Sequence, residues 1–248
     1  MDEREERRQR QRRIQSRRRR RRRQKLIRIF SVTFFMAFLV LFIFVMLFKL
    51  FIGNSAEPAI IQLPWSFGKT DILLDAGHGG HDPGTIAGDV QEKDLTLEVT
   101  LKAEKILKDA GYRVEMIRED DWFIDIHERA ETANERDAKV FVSIHCNYSE
   151  EGPGAGIETF YAESKGEDSR NLAKMIQDKV IEKTGASDRG IKTADFAVVK
   201  ETKMPAALVE TGFLSDAEEK ALLLKDFYQE QLAEGIAAGI IEYLEALE

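Results

Sequence analysis

The sequence predicts an α/β fold: a three-layer αβα sandwich around a mostly parallel or mixed sheet, preceded by one N-terminal transmembrane helix. Three observations carry this prediction. From residue 71 onward, short apolar runs that suit buried strands alternate with stretches of helical periodicity. Glycine-rich breaks separate several of these elements. A separate apolar stretch at residues 29–52 is long enough to span a bilayer.

The 248 residues divide into two parts of opposite charge. Residues 1–28 contain 15 Lys and Arg against 4 Asp and Glu, whereas residues 54–248 contain 21 against 40. Because phosphates would repel so acidic a region, it is not expected to bind nucleic acid. The single cysteine, Cys146, excludes a disulfide within the chain.

The arginine-rich N-terminus and the apolar stretch after it predict a membrane anchor. Residues 1–28 are expected to form a disordered cytoplasmic tail, because adjacent like charges repel one another. Residues 29–52 contain one charge, Lys49, and a helix of this length spans roughly 36 Å, enough for a hydrocarbon core of about 30 Å. The basic flank should stay in the cytoplasm, which places the rest of the chain outside. Residues 53–70, with their prolines and glycines, are expected to be a linker.

Two alternatives remain open for this N-terminal part. The apolar stretch is long for a signal peptide, but the small residues Asn54, Ser55 and Ala56 offer a place where a signal peptidase could cut. The arginines could bind nucleic acid, although anionic lipid is the simpler partner beside a membrane span.

Residues 71–248 are expected to form one domain. The first strand lies within residues 71–78 and gives way to a loop rich in glycine. The later strands are predicted at residues 112–117, 140–145, 157–161, 196–199 and 206–210. Apolar residues on one face predict helices at 92–110, 126–135, 168–183 and 229–247. Ser215 and Glu218 form a capping box for one more helix.

Three predicted strands end in side chains that could bind a metal ion or move a proton. His78 follows the first strand, His145 ends the third and Glu210 ends the sixth. Sites in open α/β sheets form at the carboxyl ends of strands, so these residues are expected to lie together. The glycine loop is long enough to bring Glu92 beside His78. Two histidines and one carboxylate are the ligand set of a catalytic zinc site with an open position, and Glu210 could then accept and return a proton.

Each of these side chains also has a structural explanation. Glu92 suits the first turn of a helix, Glu210 could be an acid facing water, and His145 could be a hydrogen-bonded core histidine. Asp82 is the closest competitor to Glu92 as the third ligand.

Three further residues, two histidines and the cysteine, are considered as candidates for the same site. His81, beside the glycine loop, could help to hold a substrate, and His127 is expected on the surface of a helix. Cys146 should point away from its neighbour His145, because side chains alternate along a strand, and is therefore expected to be a buried apolar residue and not a ligand.

Seven segments of the chain form an ordered set of motifs. They are LLDAGHGGHDPG (73–84), QEKDLTLEV (91–99), MIREDD (116–121), ERAETAN (128–134), VSIHCN (142–147), SDRGIK (187–192) and PAALVETGFLSD (205–216). Together, over about residues 71–245, they resemble the zinc-dependent N-acetylmuramoyl-L-alanine amidases of the bacterial cell wall, the Amidase_3 type.

The resemblance implies an αβα fold with one zinc ion per chain and peptidoglycan as the substrate. Matched residue by residue, His78, Glu92 and His145 correspond to the metal ligands of the family, and Glu210 corresponds to its catalytic glutamate. The family hydrolyses the amide bond between the lactyl group of N-acetylmuramic acid and the L-alanine of the stem peptide. With the predicted anchor, the enzyme would be a single-pass protein of the bacterial cytoplasmic membrane whose catalytic domain lies outside.

Some features depart from the usual family pattern. Ala76 stands where such enzymes commonly have proline, and the chain shows no wall-binding repeats, so the membrane anchor would have to localise it. No extra helix of the kind that plugs the site in some division-associated relatives is visible, which leaves the need for a protein activator open. Two other functions remain: a non-catalytic wall-binding or activator protein with the same fold, and a zinc hydrolase of another amide. Cell separation, wall turnover and sporulation all fit a short anchored amidase.

Overall fold

The computed structural model describes residues 70–150 and 154–247. The predicted cytoplasmic tail, the predicted transmembrane helix at 29–52 and all but the last residue of the predicted linker lie outside these residues. Within the described ranges, no helix is long and apolar enough to cross a membrane.

The described residues alternate between strands and helices, as the sequence predicts. The strands are β1 (Ile72–Ala76), β2 (Ile86–Ala87), β3 (Val90–Gln91), β4 (Val114–Met116), β5 (Val140–Asn147), β6 (Ile157–Tyr161), β7 (Asp188–Thr193) and β8 (Ala206–Phe213). The α-helices are α1 (Glu92–Asp109), α2 (Ile126–Arg136), α3 (Gly166–Thr184), α4 (Ala197–Lys200), α5 (Ala217–Leu223) and α6 (Asp226–Glu245).

Six strands form one mixed sheet in the order β4-β1-β5-β8-β6-β7. Neighbouring strands are parallel, except that β6 runs antiparallel to β8. The two short strands β2 and β3 form a separate hairpin within the connection from β1 to α1. The parallel strands β1, β5 and β8 therefore present their carboxyl ends at one edge of the sheet, where the predicted site residues lie.

Helices cover both faces of the sheet, which confirms the predicted three layers. Side chains alternate along β1, so that Ile72 and Leu74 enter a core shared with α1, α3 and α6, while Leu73 enters a smaller core with α2 and α4. All three of these β1 side chains are at most 1% exposed. Burial on both faces explains why β1 is an apolar run and not an alternating one.

Helices α3 and α6 approach each other closely through two glycines one turn apart. A Cβ atom at Gly235 would lie 2.5 Å from the Cα atom of Val180, and one at Gly239 would lie 2.4 Å from the Cα atom of Ile176. Because real Cβ contacts are much longer than this, only glycine permits the two backbones to pack at this distance.

Two predicted features of the C-terminal half are wrong. Residues 196–199 do not form a strand: Ala197–Lys200 is a single helical turn, and a four-residue apolar run is too short for periodicity to distinguish the two. The predicted capping box is also wrong, because Asp216 is the N-cap of α5 and accepts hydrogen bonds from the amides of Glu218 and Glu219.

Other elements differ from the predictions in extent. The sequence does not predict strand β7, because DRGIKT is polar and its side chains are exposed or half-buried. It does not predict the β2–β3 hairpin either, because two strands of two residues each are too short to show an alternating pattern. Strands β5 and β8 run past His145 and Glu210, to Asn147 and Phe213, so these two residues lie within their strands and not at the last position.

Candidate active site

Three of the predicted site residues, His78, Glu92 and His145, come together at the carboxyl edge of the sheet. One potential ligand atom from each lies within 4.8 Å of the others. Glu92 Oε1 is 3.1 Å from Nε2 of His78 and 3.0 Å from Nδ1 of His145. The two imidazole rings meet edge to face, with centroids 4.9 Å apart. The structure thus brings the predicted ligand set into one cluster.

The local backbone explains how these three side chains meet. β1 and β5 pair in parallel, which places the loop after β1 beside His145 near the end of β5. The β2–β3 hairpin then returns the chain, so that α1 begins at Glu92 directly over that loop. Glycines make room for the cluster, because a Cβ atom at Gly77 would lie 2.3 Å from the His145 ring and one at Gly84 would lie 2.6 Å from Glu92 Oε2.

Glu92 is buried and fully engaged as a charged acceptor. Besides the two histidines, it accepts hydrogen bonds from the backbone amides of Thr85 and Cys146, at 2.8 and 3.0 Å. Burial alone would raise the pKa of Glu92, but the hydrogen bonds from His145 and His78 hold it well below its usual range. The carboxylate of Glu92 therefore keeps its negative charge inside the cluster, where the side chain is only 4% exposed.

His78 is oriented by a second carboxylate. Its Nδ1 atom contacts Oδ2 of Asp82 at 2.8 Å, which turns Nε2 toward Glu92. Burial alone would lower the pKa of His78, but Glu92 and Asp82 outweigh it and raise this pKa to about 9. Asp82, the competitor to Glu92 in the sequence, thus lies on the far nitrogen of the imidazole, the usual place of a carboxylate that orients a ligand histidine.

This donor set fits a divalent cation. Imidazole nitrogen and carboxylate oxygen are ligands that zinc and similar ions accept, and the buried charge of Glu92 would offset part of the charge of the ion. The two glycines form a cradle around the ligand side chains that a Cβ atom would fill. The cluster therefore has the chemistry and the space of a metal centre.

Glu210 lies beside this cluster and has an unpaired oxygen. It is the register partner of His145 across the parallel pair β5–β8, and its Oε2 atom is buried without a hydrogen-bond partner. Burial raises the pKa of Glu210 to about 7, and the neighbouring carboxylates Glu92 and Glu158 add to the effect. A carboxyl group with a pKa near neutrality can both accept and release a proton.

The backbone at His78 is strained and held in place by Arg118. His78 has a φ angle of 62°, in the left-handed region that residues other than glycine rarely adopt. The guanidinium of Arg118 donates to the carbonyl oxygens of Ala76 and Gly77, both at 2.9 Å, and to that of Lys93 at 2.8 Å. Arg118 is only 3% exposed. One buried arginine thus ties the residues before His78 to the first turn of α1.

A second buried arginine, Arg129, holds the same loop from the opposite face of the sheet. It donates to the carbonyl oxygens of Ala76 at 2.8 Å and of His78 at 2.5 Å. It also pairs with Asp75 at 2.6 Å, and Ser143 donates to the other oxygen of that carboxylate at 2.8 Å. Because Asp75 is 0% exposed, this pairing satisfies a charge that would otherwise be costly to bury.

A groove of about 460 Å³ opens beside the cluster and Glu210. Its lining combines polar side chains, among them His78, His145 and Glu210, with a group of apolar side chains that we call the apolar wall. The wall includes Phe123, Ile126, Phe196, Val198 and Leu208. Phe123, Ile126 and Phe196 are between 39% and 47% exposed, which is high for such large apolar side chains. A groove of this size and character is typical of a substrate site.

The remaining sequence candidates lie outside the cluster. His81 stacks on the ring of Phe123, with centroids 4.0 Å apart. His127 is on the surface of α2 and pairs with Glu201 at 2.9 Å. Cys146 is buried, with Sγ 3.3 Å from the hydroxyl of Thr211. The structure therefore confirms the predicted surface position of His127 and the predicted burial of Cys146.

The residues that support the site could not be recognised from the sequence. Arg118 and Arg129 belong to the motifs MIREDD and ERAETAN, yet no role could be read for them, because their partners are mostly backbone carbonyls that only the fold brings near. The apolar wall was missed for a similar reason, since Phe123 and Phe196 come from separate loops. The one available signal was the presence of arginine within segments that are otherwise acidic.

The fold and the site together define an αβα domain that has a His–Glu–His cluster and the carboxyl group of Glu210 at the carboxyl edge of its sheet. The chain belongs to the Amidase_3 family, described as N-acetylmuramoyl-L-alanine amidase, whose sequence profile matches residues 72–242. Among its relatives is the uncharacterized protein YqiI of Bacillus subtilis, 37% identical over 71% of this chain and 85% of YqiI. The N-acetylmuramoyl-L-alanine amidase LytC of the same organism is 35% identical over 69% of this chain but 35% of LytC.

A solved structure supports the same assignment. The N-acetylmuramoyl-L-alanine amidase from Clostridium difficile 630 matches with a TM-score of 0.69 and 36% sequence identity. The match covers 73% of this chain and 100% of that protein. The described domain therefore matches the whole of that solved chain.

Proposed function

We propose that this chain is a membrane-anchored peptidoglycan amidase that uses one zinc ion, held by His78, Glu92 and His145, with Glu210 as the catalytic proton acceptor. The amidase activity follows from the family to which the chain belongs. The bond cleaved would join the lactyl carbonyl of N-acetylmuramic acid to the nitrogen of L-alanine. Hydrolysis adds a hydroxyl group to the carbonyl carbon and a proton to the departing amine.

The unpaired oxygen of Glu210 is the observation that supports this mechanism most directly. A zinc ion, when bound, would polarise the carbonyl group and make water acidic enough to ionise near pH 7. Glu210 Oε2, which is buried and without a partner, is free to take a proton from the attacking water. The same oxygen then gives that proton to the leaving nitrogen, so the carboxyl group ends the cycle as it began.

Two other groups of residues would prepare this step. Asp82 fixes the ring of His78, and the hydrogen bonds to Glu92 keep its carboxylate charged and in place. The apolar wall of the groove would exclude water from one side of the scissile bond. The side chains of this protein would thus hold the ligands in position, exclude water and move the proton.

The test compares the full-length protein, purified in detergent and loaded with zinc, with its Glu210→Gln variant. Bound metal is quantified, purified peptidoglycan is digested, and the new ends are identified by mass spectrometry. We expect one zinc per chain in both proteins, and new L-alanine amino termini only from the wild type. The variant should lose activity by about 10²- to 10⁴-fold, the range for a general acid–base group. Glu163→Gln, on an exposed turn, is the matched control and should remain active.

Three results would contradict parts of this proposal. Absence of zinc from the wild type would overturn the ligand assignment. Zinc without cleavage would favour a non-catalytic wall-binding protein or one that needs a protein activator. Cleavage at a bond other than lactyl–alanine would favour a zinc hydrolase with another amide substrate.

We also propose that residues 29–52 anchor the enzyme in the bacterial cytoplasmic membrane, with the catalytic domain outside and the arginine-rich tail on anionic lipid. The support is the length of the apolar stretch, its single charge and the basic flank before it. A chain tagged at both ends should be recovered intact in the membrane fraction. Its C-terminal tag should be open to protease added outside the cell. Recovery of a shorter chain that has lost the N-terminal tag would instead identify residues 29–52 as a cleaved signal peptide.

A further inference from the structure

A pair of cations shares one buried carboxylate at the same edge of the sheet as Glu210. Oε2 of Glu158 accepts hydrogen bonds from Nε of Arg189 at 2.7 Å and from Nζ of Lys192 at 2.5 Å. The side chain of Glu158 is 5% exposed, whereas those of Arg189 and Lys192 are 36% and 40% exposed. Both cations lie in the motif SDRGIK, to which the mechanism gives no role. We call Arg189 and Lys192 the β7 cation pair, and Glu158 is the carboxylate that they share.

Strand register places this group directly beside the candidate proton acceptor. Glu158 on β6 is the partner of Glu210 across the antiparallel pair β6–β8. Directly opposed residues of an antiparallel pair point to the same face, with Cβ atoms about 4.5–5.5 Å apart. His145 is the partner of Glu210 on the other side, across β5. Glu210 therefore lies between the His–Glu–His cluster and the β7 cation pair.

A hydrogen bond connects the two sides of this row. Asn147, two residues beyond His145 on β5, donates from Nδ2 to Oε1 of Glu158 at 2.8 Å. Both oxygens of Glu158 are thus occupied from inside the protein, which fixes the carboxylate that positions the two cations.

The charge of this group differs from that of the domain around it. Residues 54–248 contain 40 acidic residues against 21 basic ones, yet here two cations face one carboxylate. Arg189 is also held in place, because its guanidinium lies over the ring of Phe213, 4.8 Å from the centroid. Arg189 donates from Nε to Glu158 and from Nη1 to the carbonyl oxygen of Ala155. An arginine presents donors as a planar fork, and Lys192 carries three, so the pair has donor capacity for a second carboxylate.

We propose that Arg189 and Lys192 bind a carboxylate of the stem peptide, so that this amidase prefers stem peptides with a free carboxyl group near the scissile bond. The inference rests on the proposed function, since it assigns part of the substrate to the same site. The partly exposed cations would meet the peptide on the β7 side of Glu210. Glu158 is a positioning residue that keeps the two cations side by side.

The experiment uses zinc-loaded full-length protein and two soluble muropeptides. These differ only in whether the carboxyl group of the residue after L-alanine is free or amidated, a change that removes the charge and keeps the shape. We expect the wild type to have a kcat/KM for the free acid about 10- to 100-fold above that for the amide, the range for hydrogen bonds to charged groups. The difference should lie in KM and should shrink as salt is added.

The variant Lys192→Met should lower this preference toward one by raising KM for the free acid alone, and Lys192→Arg should restore much of it. Lys174→Met, at an exposed pair on α3, should leave the preference unchanged. The ratio of the two substrates within one protein does not depend on how much of it is folded, so a damaged variant still gives an interpretable result. A purely structural cation would lower both rates equally.

Two outcomes would overturn the inference, and they are distinguishable. Equal kcat/KM for the two muropeptides in the wild type would refute the proposed carboxylate site but not the amidase function. If the zinc-loaded wild type cleaved neither muropeptide, both the proposed function and this inference would be refuted.

Discussion

Four carboxylates near the carboxyl edge of the sheet differ in what neutralises them. Asp75 is paired with an arginine, Glu158 with two cations and Glu92 with two histidines. Only Glu210 among these four has a buried oxygen without a partner. An unpaired buried polar atom is costly to stability, so each one needs an explanation, and a catalytic role is one such explanation. At the scale of residues, this contrast separates the candidate catalytic group from the structural acids.

We predict that Arg118→Lys weakens zinc binding while the fold survives. Lysine keeps the charge but cannot reach three carbonyl oxygens with one planar fork, so the backbone around His78 would be held less firmly. Loss of such outer support typically lowers metal affinity about 10- to 100-fold. Competition with a chromophoric chelator measures the affinity, and circular dichroism checks the fold. Unchanged affinity would mean that Arg118 does not position the ligand.

We predict that Asp71→Asn destabilises the domain at neutral pH but not in acid. Hydrogen bonds from Arg113 hold the pKa of Asp71 well below its ordinary value of 3.8. A lowered folded-state pKa gives stability that is present above the unfolded pKa and is lost as the pH falls below it. The variant should therefore be less stable by about 1–2 kcal/mol at pH 7.

The difference between Asp71→Asn and the wild type should begin to close as the pH falls below about 4, and it should vanish only as the pH falls through the lowered folded-state pKa of Asp71. Urea titrations at several pH values measure it. Asp178→Asn is the matched control, because its pair with Lys174 on α3 is more than half exposed and contributes little. A constant difference at all pH values would show that the ion pair is not its source.

The positions of the site residues could be predicted only in part from the sequence. His78, His145 and Glu210 follow apolar strand runs, so strand topology alone places them at one edge. The predicted position of Glu92 depended on the path of the glycine-rich loop, which the sequence does not reveal. The β2–β3 hairpin that brings Glu92 back to the site is too short to show a pattern. The arginines that hold the loop have partners in the backbone, which a sequence does not reveal.

At the scale of elements, the contact between α3 and α6 yields a prediction with a definite sign. Replacing glycine by alanine inside a helix normally stabilises it by about 1 kcal/mol. At Gly239, however, the new Cβ atom would lie 2.4 Å from the Cα atom of Ile176, so the helices must separate. We expect Gly239→Ala to destabilise the domain by about 1–3 kcal/mol.

Urea unfolding followed by circular dichroism measures this effect. Ala238→Gly, at the adjacent position of the same helix, should lose only the intrinsic preference of about 1 kcal/mol. A stabilising effect of Gly239→Ala would show that the helices are not in close contact there.

The elements themselves were predictable where burial imposes a period. Helices α1, α3 and α6 and strands β1, β5 and β8 contribute many core residues, and each has a clear apolar pattern. Strand β7 and helix α4 do not: β7 is polar at the edge of the sheet, and α4 is a single turn. Their conformations are set by neighbours that are distant in sequence.

At the scale of the whole molecule, the candidate metal centre joins the loop after β1, the start of α1 and the end of β5. An ion that binds only the folded state stabilises it by about 4 kcal/mol at 1,000 times its Kd. For a domain of this size, removal of zinc with a chelator should therefore lower the Tm by roughly 8–16 °C. Calorimetry with and without chelator measures the shift.

Variants at two histidines provide the controls for this measurement. His145→Ala should show no shift on chelation, whereas His127→Ala, at the exposed pair with Glu201, should shift like the wild type. A shift that persists in His145→Ala would place the ion elsewhere in the chain. The three-layer architecture could be predicted at this scale because alternating strands and helices admit few arrangements.

The strand order also governs when a newly made chain can become active. β1 is synthesised early, but it lies between β4 and β5, and Glu210 arrives much later, on β8. Until the ribosome has passed that residue, the growing chain has His78, Glu92 and His145 but lacks the proposed proton acceptor. On the proposed mechanism, the amidase therefore stays inactive until most of its chain has been made.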